Sequence, residues 1–328
     1  MKSKSQSTIS LLVPVYNEEQ SIDVFLDVTL EILKKTKMGF EIIFIDDGST
    51  DETLSVLLKK KEQHKEIKVI SLTRNFGKEA ALTAGLDHAD GDAVIPIDVD
   101  LQDPPEAIFL FLEKWREGFD VVYGIRRDRQ SDTWLKRKTA LAFYRLFNRM
   151  SNVKIPYNSG DFRLMDRRVV EEIKKLKERN RFMKGLMCWP GFRSTSITFD
   201  RQKRAEGNTS WNYLKLINFG VDGLISFSTI PLRIWIYIGA SVSVFAFLYA
   251  SFIILRVLFT GVDIPGYASL IVVTMFFAGV QLITLGVLGE YIGRIYEEVK
   301  GRPVYIVDRI WQKNLKDVDA SIYKVKPV

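Results

Sequence analysis

Ala93-Val94-Ile95-Pro96-Ile97-Asp98-Val99-Asp100-Leu101-Gln102 is a short apolar run that ends abruptly in two carboxylates one residue apart. A run of that length, bounded by polar residues and lacking helical spacing, predicts a strand buried on both faces of a sheet. Side chains alternate along extended chain, so Asp98 and Asp100 share one direction and Val99 takes the other. The same pattern recurs along the first part of the chain. Strand candidates are Ile9–Val15, Glu41–Ile45, Lys68–Ser71, Ala93–Ile97 and Asp120–Tyr123. Helix candidates Glu18–Lys35, Asp51–Gln63, Lys78–Leu86 and Pro104–Glu117 alternate with them. Alternating strands and helices with right-handed crossovers predict an α/β fold around an open, mainly parallel sheet. In such sheets ligands bind beyond the carboxyl ends of the strands. The polar clusters fall there: Tyr16-Asn17-Glu18, Asp46-Asp47-Gly48-Ser49, Thr73-Arg74-Asn75 and Asp98-Val99-Asp100.

These clusters suggest a site for a phosphorylated ligand. Asp98 and Asp100, with Gln102 two residues on, offer oxygens to a hard divalent cation that bridges a diphosphate. Taken alone, Asp-x-Asp also reads as a turn or a cap, and Asp103 before Pro104-Pro105 reads as the cap of the following helix. Tyr16 can stack on a base, while Glu18 or Asp46 can accept from a base or a ribose hydroxyl. Asp46 to Asp51 equally reads as a turn with Ser49 or Asp51 capping the next helix. Three acidic clusters on successive strand tips are harder to explain structurally than any one of them.

The 328 residues carry a net charge of +7, with 47% hydrophobic and 27% charged residues, so neither disorder nor a wholly membrane-embedded chain fits. One cysteine, Cys188, excludes an internal disulfide, and two histidines are too few for a histidine-built metal centre. Any metal is therefore held mainly by oxygen ligands, which favours Mg²⁺ or Mn²⁺. No signal peptide is evident at the polar N-terminus. No nucleic-acid partner is expected.

The charge is unevenly distributed. Ile234–Leu255 is uncharged for 22 residues and Ile264–Gly289 for 26, each enough to span a bilayer core of about 20 apolar residues. Arg233 precedes the first run, Arg294, Lys300 and Arg302 follow the second, and Asp263 lies between them, which puts both termini in the cytoplasm. The expected transmembrane helices are about 232–257 and 266–291, a hairpin in the inner or plasma membrane. A hairpin is too little for a transport pathway in one protomer, and a homo-oligomer, a tetramer among its forms, is expected. Asp132–Met150 and Trp211–Phe227 read as amphipathic helices; the first sets Lys136, Arg137, Lys138, Arg145 and Arg149 against Trp134, Leu135, Leu141, Tyr144, Phe147 and Met150. Such helices lie in a bilayer interface or pack on their own domain. The tail Arg302–Val307 reads as a strand returning to the cytoplasmic domain.

Val13-Pro14-Val15-Tyr16-Asn17-Glu18, Asp46-Asp47-Gly48-Ser49, Arg74-Asn75-Phe76-Gly77-Lys78 and Asp98-Val99-Asp100-Leu101-Gln102-Asp103 together resemble glycosyltransferase family 2, with its GT-A fold. With Gly160-Asp161-Phe162-Arg163-Leu164-Met165, Asp200-Arg201 and Gly289-Glu290-Tyr291-Ile292-Gly293-Arg294 the chain resembles the polyisoprenyl-phosphate glycosyltransferases of that family. The resemblance implies a nucleotide-sugar donor, best read as UDP-glucose, a polyisoprenyl phosphate acceptor such as undecaprenyl or dolichyl phosphate, and a Mg²⁺ or Mn²⁺ cofactor. It implies a nucleotide-sugar pocket of Pro14, Tyr16, Glu18, Asp46, Asp47, Lys78 and Asp98, and a metal site of Asp98, Asp100 and Gln102. It assigns the acceptor phosphate to Arg126, Arg137 and Arg201 or Arg204, and catalysis to Asp98, Asp100, Asp161 and Arg126. The Gln-x-x-Arg-Trp run of processive polysaccharide synthases does not occur, so a single sugar is transferred, with inversion. The expected organisation is a nucleotide-sugar-binding core over 1–130, an acceptor-side part over 131–229, the hairpin over 230–293 and a tail over 294–328. Rival readings are a silent membrane scaffold, a transporter subunit, and transfer to diacylglycerol or ceramide. A hydroxyl acceptor needs a general base, whereas a phosphate needs cations, and the arginines favour the phosphate.

Overall fold

A computed structural model describes residues 7–127, 145, 147–151, 153–179, 181–200, 230–260, 266–312 and 318–319. Its nine described strands form one sheet: β1 (Thr8–Val15), β2 (Gly39–Asp46), β3 (Ile67–Leu72), β4 (Ala93–Pro96), β5 (Val121–Arg126), β6 (Ser159–Asp166), β7 (Ser194–Phe199), β8 (Val307–Trp311) and β9 (Val318–Asp319). Their order is β7-β5-β6-β4-β1-β2-β3-β8-β9. The central β4-β1-β2-β3 block is parallel, as the apolar runs predict. Helices α1 (Ser21–Lys35), α2 (Thr53–Gln63), α3 (Lys78–His88) and α4 (Ala107–Arg116) alternate with those strands within two or three residues of their expected bounds.

Alternation along the strands divides the core. Leu11, Val13, Ile42 and Phe44 pack with Phe25, Leu57, Phe111 and Trp115. Leu12, Ile43 and Ile45 pack with Ala81, Leu86, Met165 and Met183. Period-two side chains thus feed a separate core on each face, so the sheet holds its carboxyl ends rigidly.

Two strands escape the apolar-run pattern. β6 enters the sheet antiparallel between β4 and β5, and β7 runs parallel to β5. Four polar or charged residues of β6, Ser159, Asp161, Arg163 and Asp166, disguise it in the sequence, although Arg163 is fully buried. Helices α5 (Arg167–Lys175) and α6 (Met183–Leu186) follow it.

Two expectations are corrected, and one choice left open is narrowed. Glu106, without a side-chain cap bond, occupies the position before α4, and the Asp103 carboxylate instead receives Arg126. The returning strand lies at Val307–Trp311, antiparallel to β3, rather than at Arg302–Val307; Ile306 is tied to the sheet by accepting from the Thr73 N–H at 3.1 Å. Most of the Asp132–Met150 segment lies outside the described residues. At its helical end, however, Phe147 is fully buried against Ile155 and Phe182. That end packs on its own domain.

Beyond the sheet lie two long helices, α7 (Ile230–Thr260) and α8 (Tyr267–Lys300). Among the described residues one helix, Ser269–Lys300 within α8, is long and apolar enough to cross a membrane by length and composition. None of its apolar window is buried, unlike a helix in a soluble core. α7 carries a shorter apolar stretch, Tyr237–Tyr249, with Phe245, Phe247 and Tyr249 exposed.

Candidate functional site

The site begins with a loop-to-loop clamp. The carboxylate of Asp47 accepts the Phe76 and Gly77 backbone N–H groups, both at 2.8 Å. Gly48 makes this approach possible: its φ is +69°, and an added Cβ would lie 2.4 Å from the Arg74 carbonyl carbon. Any side chain would push the loops apart. The clamp fixes the chain just before α3, whose first residue is Lys78.

Lys78 therefore projects over the tip of β4. Its Nζ lies 2.6 Å from Asp98 Oδ1, 2.9 Å from Asp98 Oδ2 and 2.9 Å from Asp161 Oδ2. Asp161 arrives because β6 is antiparallel to β4: Ala93 faces Asp166 and Val94 faces Met165, and continuing that register sets Asp98 opposite Asp161. Burial works against the Lys78 charge, yet Asp161 and Asp98 outweigh it and raise its pKa. Burial likewise opposes ionised Asp161, but Lys78, Lys184 and Arg163 prevail and hold its carboxyl well below the usual range. The second oxygen of Asp161 is buried and has no hydrogen-bond partner among the described residues. A buried, ionised, unpartnered acceptor is costly in a finished core and useful where a ligand hydroxyl arrives.

Asp98-Val99-Asp100 lies past the end of β4, with Val99 and Asp100 in a turn, and burial alternates along it. Val99 is buried, while both aspartates are partly exposed. Leu101 adopts a left-handed φ of +54°, and the Gln102 N–H donates to Asp100 Oδ1 at 3.1 Å. This turn ties the Asp100 carboxylate to the backbone of Gln102.

Of the residues expected to line the nucleotide pocket, Pro14 lies in β1 opposite Ile45, and Tyr16 follows β1 with 44% of its surface exposed. Asn17, in the left-handed region at φ +55°, ties this tip to its neighbour by accepting the Thr50 N–H at 2.8 Å. Glu18 accepts the Ser21 hydroxyl at 2.8 Å. Asp46 is buried, which raises its pKa, and accepts the Ser49 N–H at 3.1 Å. Both Asp47 oxygens serve the clamp.

Arg126 ends β5, with Nε and Nη2 each 3.1 Å from an Asp103 oxygen. A Cβ added to Gly160 would lie 3.5 Å from its Nη2, so the guanidinium borders the residue before Asp161. The other three expected phosphate ligands, Arg137, Arg201 and Arg204, lie outside the described residues.

Sequence reasoning missed three neighbours of the site. Arg163 is buried beneath the Tyr123 ring at 5.0 Å, and its Nη2 donates to the Gly160 carbonyl at 2.8 Å. Its place two residues after Asp161 was a usable signal. Glu79 accepts the Met183 N–H at 2.9 Å; burial first, and Asp161 next, push its pKa up to about 7. Lys184 acts on both Asp161 and Glu79, and nothing local in the sequence marks it.

The residues fit a divalent cation in part. Among the described residues, no cluster of three or more His, Cys, Asp or Glu is arranged to hold a metal. Asp98, Asp100 and Gln102 supply only oxygen donors, the set that Mg²⁺ or Mn²⁺ takes when ligand phosphates and water complete the shell.

Residues 10–174 match the family model described as glycosyl transferase family 2. The chain is 51% identical over 306 residues to a prophage-derived bactoprenol glucosyl transferase of Shigella flexneri, covering 93% of this chain and 99% of that one. It is 54% identical over 303 residues to an uncharacterized glycosyltransferase of Synechocystis, covering 92% and 95%. Among solved structures, glucosyl-3-phosphoglycerate synthase from Mycobacterium tuberculosis with Mn²⁺ and UDP-glucose is 20% identical at a TM-score of 0.46, covering 68% and 80%.

Proposed function

The chain belongs to glycosyl transferase family 2, and from that premise we propose that it moves one glucose from UDP-glucose to the phosphate of a polyisoprenyl lipid such as bactoprenol. The observation that carries the reading is the 51% identity to a bactoprenol glucosyl transferase across 93% of the chain. The strand-tip cluster of Lys78, Asp98 and Asp161 supports it as a site built around charged phosphate.

A phosphate monoester has a second pKa of about 6, so the acceptor is largely dianionic at neutral pH and attacks without a strong protein base. Its oxygen forms the bond to the anomeric carbon as the bond from that carbon to the UDP oxygen breaks. The electron pair leaves with UDP, and attack opposite the leaving group inverts the centre. Tyr16 stacks on the uracil, and Pro14, Glu18 and Asp46 border the nucleoside. Lys78 lies where it can meet the diphosphate. Asp98, Asp100 and Gln102 would hold Mg²⁺ or Mn²⁺, which supplies charge stabilisation to the departing diphosphate. The unpartnered Asp161 oxygen orients a sugar hydroxyl. Arg126, with Arg137 and Arg201 or Arg204, positions the acceptor phosphate.

The organisation that suits this chemistry is a catalytic part over 1–229, a two-helix hairpin with spans near 232–257 and 266–291, and a cytoplasmic tail. Both termini face the cytoplasm in this reading, and the chain associates with copies of itself in the membrane. The exposed apolar surface of α8 supports membrane association. A choice of acceptors tests the lipid phosphate. Purified protein with UDP-glucose should glucosylate undecaprenyl phosphate and leave diacylglycerol untouched; product on diacylglycerol alone would overturn the reading.

A further inference from the structure

We propose that Lys78 is a built-in competitor of the divalent cation for Asp98, so that the cation binds tightly only with a nucleotide diphosphate that draws Lys78 away. The inference rests on the donor-site reading above. Three carboxylate oxygens stand within 2.9 Å of the Lys78 Nζ, two from Asp98 and one from Asp161. The ammonium donates to Asp98 Oδ2 and is ion-paired with both aspartates. Both Asp98 oxygens face that ammonium, and a divalent cation on the same carboxylate would stand against it at close range. The two cations therefore exclude each other at Asp98.

The geometry also supplies the release. The Lys78 side chain is 39% exposed and sits on a flexible four-carbon stem, so it can swing without unpacking the core. Asp161 keeps it tethered while Asp98 is given up. The diphosphate of a donor is the anion that compensates Lys78 and completes the cation's shell. Without it, the described residues offer no cluster of three His, Cys, Asp or Glu side chains arranged for a metal. Cation and nucleotide are then coupled, and linkage makes the coupling reciprocal.

Mn²⁺ binding by electron paramagnetic resonance, on the full chain in detergent with and without UDP, tests this. Wild type should bind Mn²⁺ at least tenfold more tightly with UDP than without. Lys78→Met should bind Mn²⁺ alone at least tenfold more tightly than wild type, and its dependence on UDP should shrink. Lys78→Arg, which keeps the charge, should behave as wild type, and adding Asp98→Asn to Lys78→Met should remove the gain. Circular dichroism checks folding, with Lys78→Gln measured in parallel as a second neutral variant. Unchanged or weaker binding of Mn²⁺ alone by the folded neutral variants would overturn the proposal, as would a gain that survives Asp98→Asn. Absence of UDP binding to wild type would instead remove the donor-site reading, while the comparison with Mn²⁺ alone still decides the competition.

Discussion

At the scale of single residues, the site separates groups the sequence placed together. Asp46 and Asp47 are adjacent and both acidic, yet Asp47 spends both oxygens on the Phe76 and Gly77 amides. Asp103 lies in the same motif as Asp98 and Asp100 but is buried against Arg126. Such divisions of labour depend on where backbone donors and partner strands lie, which local sequence does not encode. Glu79 offers a test by titration. Its carboxyl sits at about 7 in the fold, against about 4.3 in an unfolded chain. The folded state thus holds the extra proton between those values, and stability falls as pH rises through that window. Glu79→Gln keeps an acceptor for Met183 and removes the titration. Its melting temperature, measured in detergent from pH 4.5 to 8, should decline less with rising pH than wild type's. A decline parallel to wild type's would show that Glu79 does not carry the effect.

At the scale of elements, the parallel block was legible because each strand is an uninterrupted apolar run and each helix is flanked by turn residues. β6 was not legible, since Asp161 and Arg163 are tolerated in a central strand only through partners from α3, β5 and α6. The clamp between the second and third strand tips is equally tertiary. Gly48→Ala should cost about 1–3 kcal/mol through backbone strain. Because it displaces the start of α3, it should also lower glucosyl transfer more than tenfold, as urea denaturation and an activity assay would show. The amphipathic reading of Asp132–Met150 is resolved at its end by Phe147. Phe147→Ala should destabilise the folded domain by about 3–5 kcal/mol, the usual cost of deleting a buried aromatic ring. A residue lodged in lipid would instead change vesicle binding and leave the melting temperature in detergent alone.

At the scale of the whole molecule, the sheet and the long helix α8 are joined by more than the chain. In the last turn of α8, the Glu298 carboxylate accepts the Arg179 N–H at 2.7 Å. Tyr305 donates to Asp87 at 2.7 Å, and β8 extends the sheet beyond β3. The returning tail was legible as a short apolar run, but its register was not, because it is set by pairing with β3. The proposed hairpin with cytoplasmic termini predicts an asymmetric labelling pattern. In a Cys188→Ala background, Asp263→Cys should react with a membrane-impermeant maleimide on intact cells, and Arg302→Cys only after lysis. Labelling of both positions on intact cells would contradict that topology. In the proposed reaction one glucose passes to a lipid phosphate at the strand-tip carboxylates. Its most direct test is to incubate the purified chain with undecaprenyl phosphate, a divalent cation and labelled UDP-glucose, then measure label in the organic phase. Label appearing as a monoglucosylated lipid phosphate, and disappearing with chelator or with folded Asp100→Asn, is the expected result. No organic-phase label from UDP-glucose, or full transfer by Asp100→Asn, would contradict it.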